Sequence, residues 1–230
     1  MNNMSINISQ STVCCQCGKP FDIDAPEAVN VSENHSYKEK ILSGEAFMHN
    51  CPHCGALNLV RFRMLYHDPD QRLMIWLIPE DSLTPEDKEK LDQSMKALWA
   101  SLKEGLQDYT FRRVEDPGSL IEKLLIFDCG LEDTAIEMCK FVTRMELAQG
   151  EKDQAKAAAL EDAPLRFRSL QGADNELEFV FPLEGAMHNV KAGFSVYEDC
   201  RAILGRNPEL TPDGPFPMID PAWIKAHFGR

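Results

Sequence analysis

The chain has 230 residues, 43% hydrophobic and 27% charged, a composition that supports one or two packed domains and excludes wholesale disorder. Its formal net charge of −13 sets it against phosphate backbones, since the densest basic groupings are only Arg61 with Arg63 and Arg112 with Arg113, all four read as salt-bridged surface positions. Residues 1–13 lack the positive start and apolar stretch of an export signal, and no run of about 18 apolar residues occurs, so the expectation is a cytoplasmic protein with no membrane span.

In a chain without an export signal, the eight cysteines point to metal binding, core packing or thiol chemistry rather than to a disulfide framework. The first turn, Cys14-Cys15-Gln16-Cys17-Gly18, is matched by Cys51-Pro52-His53-Cys54-Gly55. Each places two thiols two residues apart and follows them with a glycine that tolerates a positive φ. Such a turn aims both sulfurs at one ion while backbone N–H groups point at them, and two such turns supply the four ligands of a tetrahedral site. The predicted metal set is therefore Cys14, Cys17, Cys51 and Cys54, holding one structural zinc ion. Four thiolates could also hold iron, and zinc is favoured by the ribbon-like turns. A redox dithiol is expected between a strand and a helix, whereas the second pair precedes the strand-like Leu57–Phe62. Cys15, standing where the other turn has Pro52, is read as a free thiol, and His53 as a turn residue.

Between the cysteine pairs, Pro20–Val31 reads as a strand pair with apolar Phe21, Ile23, Val29 and Val31, and His35–Gly44 as a helix stopping at glycine. After Leu57, apolar Val60, Phe62 and Met64 alternate with Leu59, Arg61 and Arg63, predicting a half-buried strand. Asp68-Pro69-Asp70 supplies a turn, and the continuously apolar Leu73–Ile78 predicts a strand covered on both faces that forms a hairpin with the first. Thr84-Pro85-Glu86-Asp87 starts a helix expected to reach about Gln107, with Leu91, Met95, Leu98, Leu102 and Leu106 as its core face. Tyr109–Val114 reads as a strand. Asp116 to Gly130 and Asp133 to Gly150 read as a helical hairpin carrying Cys129 and Cys139 as core cysteines.

Lys152–Leu160 is expected to be helical. Leu165–Leu170 and Glu176–Phe181 flank a Gly172–Asn175 turn and predict an antiparallel hairpin. Ser195–Leu204 and Trp223–Phe228 read as short helices.

The two cysteine turns, Ile41-Leu42-Ser43-Gly44-Glu45, Leu65-Tyr66-His67-Asp68, Leu120-Ile121-Glu122-Lys123 and Cys129-Gly130-Leu131-Glu132-Asp133 with Ile136, Glu137 and Lys140 together resemble the CpXC domain family over roughly the first 145 residues. The resemblance implies a bacterial zinc-ribbon protein and the four metal ligands, and it transfers no activity. Cys15 replaces the family's proline without altering ligand spacing. The expected organisation is α+β, with an N-terminal zinc ribbon (10–66) inserted in or joined to a mixed α/β body that has antiparallel hairpins. The division is a CpXC-like domain over 1–145 and an α+β extension over 146–230.

The leading functional expectation is a non-catalytic module whose ribbon or body binds a protein or small-molecule partner, since nucleophile elbows, phosphate-binding glycine loops and metalloprotease motifs are all missing. Nucleic-acid binding is the alternative, hinted at only by Arg61, Phe62 and Arg63. A further alternative is an enzyme with a cleft between ribbon and body using His67, Asp68, Glu122 and Glu137. Each of these has a plainer reading, the histidine and aspartate in a turn and the glutamates on solvated helix sides.

Overall fold

The computed structural model describes residues 7–79, 83–102, 105–106 and 108–228. Packing divides the chain into one unit of Met1–Ile121 with Asp213–Met218 and a second of Glu122–Pro212 with Ile219–Arg230. The division at 145/146 follows family resemblance, whereas this one follows packing and runs through a helix. No helix among the described residues is long and apolar enough to cross a membrane.

The first unit opens with an antiparallel hairpin of β1 (Asn7–Val13) and β2 (Pro20–Pro26), in register from Val13 opposite Pro20 outward. Along β2, Phe21, Ile23 and Ala25 are buried while Asp22 and Asp24 are exposed. The expected strand pair within Pro20–Val31 is corrected here. Both strands exist, but β2 pairs with β1, while β3 (Ala28–Asn30) runs parallel to β6 (Met64–Asp68). Helix α1 (His35–Leu42) buries Ile41 and ends at Gly44, whose φ of +79° suits glycine. A single 3₁₀ turn then leads into a second hairpin, β4 (Met48–Asn50) with β5 (Leu57–Leu59).

The strand expected over Leu57–Phe62 stops at Leu59, and the Val60 amide turns to the Phe47 carbonyl at 2.8 Å. The alternation survives the break, with Val60, Phe62 and Met64 buried and Leu59, Arg61 and Arg63 exposed. The hairpin into the body is thus β6 with β7 (Leu73–Leu77), across a turn in which Asp68 accepts the Gln71 amide at 3.1 Å. β7 is covered almost throughout, as its apolar run implied. Strand β8 (Thr110–Val114) lies parallel to it, completing a four-stranded sheet in the order β3-β6-β7-β8.

Helix α2 (Pro85–Leu102) is capped by Thr84, whose hydroxyl accepts the Asp87 amide at 3.2 Å and donates to its carboxylate at 2.6 Å. Leu91 and Met95 are buried with Met74, Ile78 and Phe216, and Leu98, Leu102 and Leu106 pack partly against them. The expected helix end near Gln107 lies outside the described residues.

In the second unit, α3 (Pro117–Asp128), which crosses the division, leads into α4 (Asp133–Gly150). Then come α5 (Gln154–Glu161), an antiparallel sheet β9 (Arg166–Gln171), β10 (Glu176–Leu183) and β11 (Ala186–Ala192), α6 (Phe194–Arg206) and α7 (Pro221–Phe228). α4 is the hub, packed by α5, α6, α7 and β9. Its core partners include Phe167, Phe179 and Tyr197. The two successive helices and the β9–β10 hairpin match expectation. Of the two cysteines expected in the core, Cys139 is buried but Cys129, the residue directly after α3, is exposed.

Candidate metal centre

Each cysteine pair sits in the tip of a short hairpin, and the two tips are built alike. In the first, the Cys14 amide donates to the Lys19 carbonyl at 3.0 Å and the Gly18 amide to the Cys14 carbonyl at 3.0 Å. In the second, Cys51 donates to Ala56 at 2.8 Å and Gly55 to Cys51 at 2.9 Å. Gly18 and Gly55 take φ of +69° and +74°, the left-handed turn end that a glycine after each cysteine pair implies.

The tips bring Cys14, Cys17, Cys51 and Cys54 together, with all four sulfurs within 4.8 Å of one another. Across the tips, the Cys14 and Cys54 sulfurs are 3.6 Å apart and those of Cys17 and Cys51 3.8 Å. Four sulfurs about 2.3 Å from a central tetrahedral ion would stand about 3.8 Å apart, so the donor set fits a metal of that geometry. The sequence-predicted residues are thus the ones assembled. Cys15 is exposed and outside the cluster.

The backbone around the sulfurs favours thiolates. The Gln16 and Cys17 amides point at the Cys14 sulfur (3.4 and 3.5 Å), and the His53 amide points at that of Cys51 (3.4 Å). The Cys17 and Gln16 amides draw the Cys14 thiol down to about 6. The Ala56 amide works the same way on Cys54, yet desolvation and the neighbouring sulfurs of Cys14, Cys17 and Cys51 push it up to about 12. Four crowded sulfurs can shed their protons together only against a cation, which is the chemistry of a soft divalent metal site.

Two polar side chains tie the tips to each other. Asn58 on β5 is 4% exposed, and its carboxamide oxygen accepts the Cys15 amide at 2.8 Å while its nitrogen donates to the Ala56 carbonyl at 2.7 Å. In return the His53 ring reaches the Pro20 carbonyl at 3.1 Å. Sequence reasoning missed Asn58, which lies in an apolar strand pattern and shows its role only once the hairpins face each other. On the other face of β4–β5, Met48 stands opposite Leu59 and Asn50 opposite Leu57, leaving Met48, Leu57 and Leu59 exposed.

His67 meets the Tyr109 hydroxyl at 3.3 Å, and burial lowers its pKa below the ordinary histidine value. Its neighbour Asp68 is buried, accepting from the Tyr66 hydroxyl (3.1 Å), the Lys38 ammonium (3.3 Å) and the Gln71 amide. Glu122 and Glu137 are corrected from solvated to buried. Both hold Lys140, at 3.0 and 2.7 Å, and Glu122 also accepts the Phe167 amide at 2.8 Å. The trio Arg61, Phe62 and Arg63 offers no stacking aromatic, because Phe62 is 1% exposed and packs on Phe47 with centroids 5.4 Å apart. Arg113 approaches Asp92 at 4.0 Å, as expected of a paired arginine, whereas Arg63 makes no ion pair among the described residues.

A family model described as CpXC protein matches residues 12–140, a little over half of the chain and including both cysteine turns. Neither a curated protein nor a solved structure matches it.

Proposed function

The chain belongs to the CpXC family, and from that membership together with its four-sulfur cluster we propose that it is a binding module whose ribbon is held by one structural zinc ion. The carrying observation is that two hairpins of two strands each, a form marginally stable at best in isolation, converge on four thiols at the spacing a tetrahedral ion needs. The all-sulfur shell suits zinc or iron, and the ribbon-like cysteine turns with Gly18 and Gly55 favour zinc. Cys14, Cys17, Cys51 and Cys54 would hold the ion, which when bound supplies the positive charge that lets the four thiolates coexist.

A non-catalytic role is supported by a ligand set that fills a tetrahedral shell and leaves no position for a reacting water. It is supported too by His67, Asp68, Glu122 and Glu137, each of which is engaged with a neighbouring side chain, Tyr109, Tyr66 or Lys140. The exposed Met48, Leu57 and Leu59 beside the centre support contact with a partner. The test is metal analysis of protein purified without added metal, followed by thermal unfolding with and without chelator. One zinc per chain and a large fall in unfolding temperature on chelation are expected, since structural zinc contributes about 10–16 kcal/mol in zinc-finger peptides. A chain without metal, or one indifferent to chelation, would overturn the reading.

A further inference from the structure

Between the β6–β7 face and α2, within the first unit, lies a cavity of about 570 Å³, well inside the size range of small-molecule sites at about 300–1,000 Å³. Its apolar walls come from Leu65 and Trp76, facing register partners on β6 and β7, and from Leu91 and Leu98, two turns apart on α2. Trp76 is held edge-on by Phe216, with ring centroids 5.4 Å apart, so the indole is a fixed surface.

The polar groups around the cavity are Glu27, Arg63, Asp87, Lys90 and Ser94, and three of them are already occupied. The Asp87 carboxylate accepts from the amide and hydroxyl of Thr84, which hold its pKa below the ordinary aspartate value. Lys90 is paired with Glu86 at 2.7 Å, and the Ser94 hydroxyl donates to the Lys90 carbonyl at 2.9 Å. Arg63, whose charge also helps hold the Asp87 pKa down from a distance, and Glu27 remain. Both are exposed, and neither side chain has a hydrogen-bond or ion-pair partner among the described residues, each other included. Ala28, adjoining Glu27, is the register partner of Leu65, so both charges stand at the β3–β6 margin of the cavity. A simple anion there would meet Arg63 but be repelled by Glu27, and a simple cation would suffer the reverse. A molecule carrying both charges satisfies both.

We infer that this cavity binds an amphipathic zwitterion, namely an α-amino acid or short peptide with a large apolar side chain. Its carboxylate meets Arg63, its ammonium meets Glu27 and its side chain lies on Trp76. This inference rests on the reading of the chain as a binding module, and it is independent of the metal.

The test is calorimetric titration of the full-length, metal-loaded chain with four probes: L-phenylalanine, L-leucyl-L-phenylalanine, 3-phenylpropionate and 2-phenylethylamine. At least one zwitterion should bind, with the two single-charge analogues weaker by about tenfold or more, the size expected for one lost charge-assisted contact. The tighter of the two zwitterions identifies a free amino acid or a peptide as the ligand. Arg63→Gln and Glu27→Gln should each weaken that binding about tenfold without moving the unfolding temperature, and backbone amide shifts should centre on Leu65, Trp76 and Leu91. The inference is overturned if neither zwitterion binds, if either single-charge analogue matches the tighter zwitterion, or if both variants bind that zwitterion as the parent does. A metal-loaded chain that ignores all four probes fails this inference alone, and a metal-free chain that binds L-phenylalanine fails only the zinc reading.

Discussion

The carboxamide of Asn58 accepts the backbone amide of Cys15 at 2.8 Å, and through that bond the second cysteine turn holds the first in place. The same side chain donates to Ala56 in its own turn, so one buried residue spans both halves of the sulfur cluster. Losing it would take the side-chain partner from the Cys15 amide and leave the Ala56 carbonyl with the Cys51 amide alone, so the cost lies in the lost link between the turns.

Asn58→Ala should therefore destabilise the metal-loaded chain by about 1–3 kcal/mol and make the metal easier to extract. Urea unfolding and the rate of metal transfer to a chelator check both effects. An unchanged unfolding midpoint would show that the two hairpins hold their relation without this clamp.

The cysteines themselves separate by position. Cys51→Ser removes a buried sulfur from the cluster and should abolish stoichiometric metal, whereas Cys15→Ser changes an exposed thiol outside it and should leave one metal per chain. Elemental analysis of the two purified variants decides the matter, and metal loss in Cys15→Ser would redraw the ligand set.

The centre was legible because metal chemistry demands ligand types at a spacing that sequence displays directly. Strong local patterns were legible too: the covered strand at Leu73, the capped start at Thr84 and the Gly172–Asn175 turn. What escaped were relations set by distant partners. β1 is a polar Asn-Ile-Ser-Gln-Ser-Thr-Val segment that becomes a strand by pairing with β2, and β11 is almost wholly exposed and carries no apolar alternation. The parallel pairing of β3 with β6 joins segments far apart in sequence. Glu122, Glu137 and Lys140 look like surface charges in helices, and only the packing of α4 on all sides puts them inside.

Thr84 offers a smaller, separable test. Its hydroxyl caps α2 in an exposed position, so Thr84→Ala should cost about 1 kcal/mol and Thr84→Ser should recover most of it. Denaturant unfolding of the pair measures this, and equal stability of all three proteins would mean that packing of Leu91 and Met95 alone sets the helix start.

The buried charges around Lys140 give the largest expected effect and a distinctive pH dependence. Burial opposes the charge on Lys140, but Glu122 and Glu137 outweigh it and hold its pKa above the ordinary 10.5. Its contribution is thus complete below 10.5 and is lost as pH rises through the raised value. Lys140→Met would strand the buried Glu137 carboxylate, while Glu122 keeps Arg166 at 3.4 Å and the Phe167 amide, and should cost about 3–5 kcal/mol near neutral pH. Burial already raises the Glu137 pKa above the ordinary 4.5 even with Lys140 in place, and without that cation it rises further. The folded variant then binds more protons than its unfolded chain at pH values above 4.5, so its stability falls as pH rises, and the gap to the parent should be narrower at pH 5 than at pH 8. Comparing the two proteins at the same pH cancels any shared loss of metal in acid. A gap that stays constant would mean that the lost lysine packing, and not the stranded charge, accounts for the destabilisation.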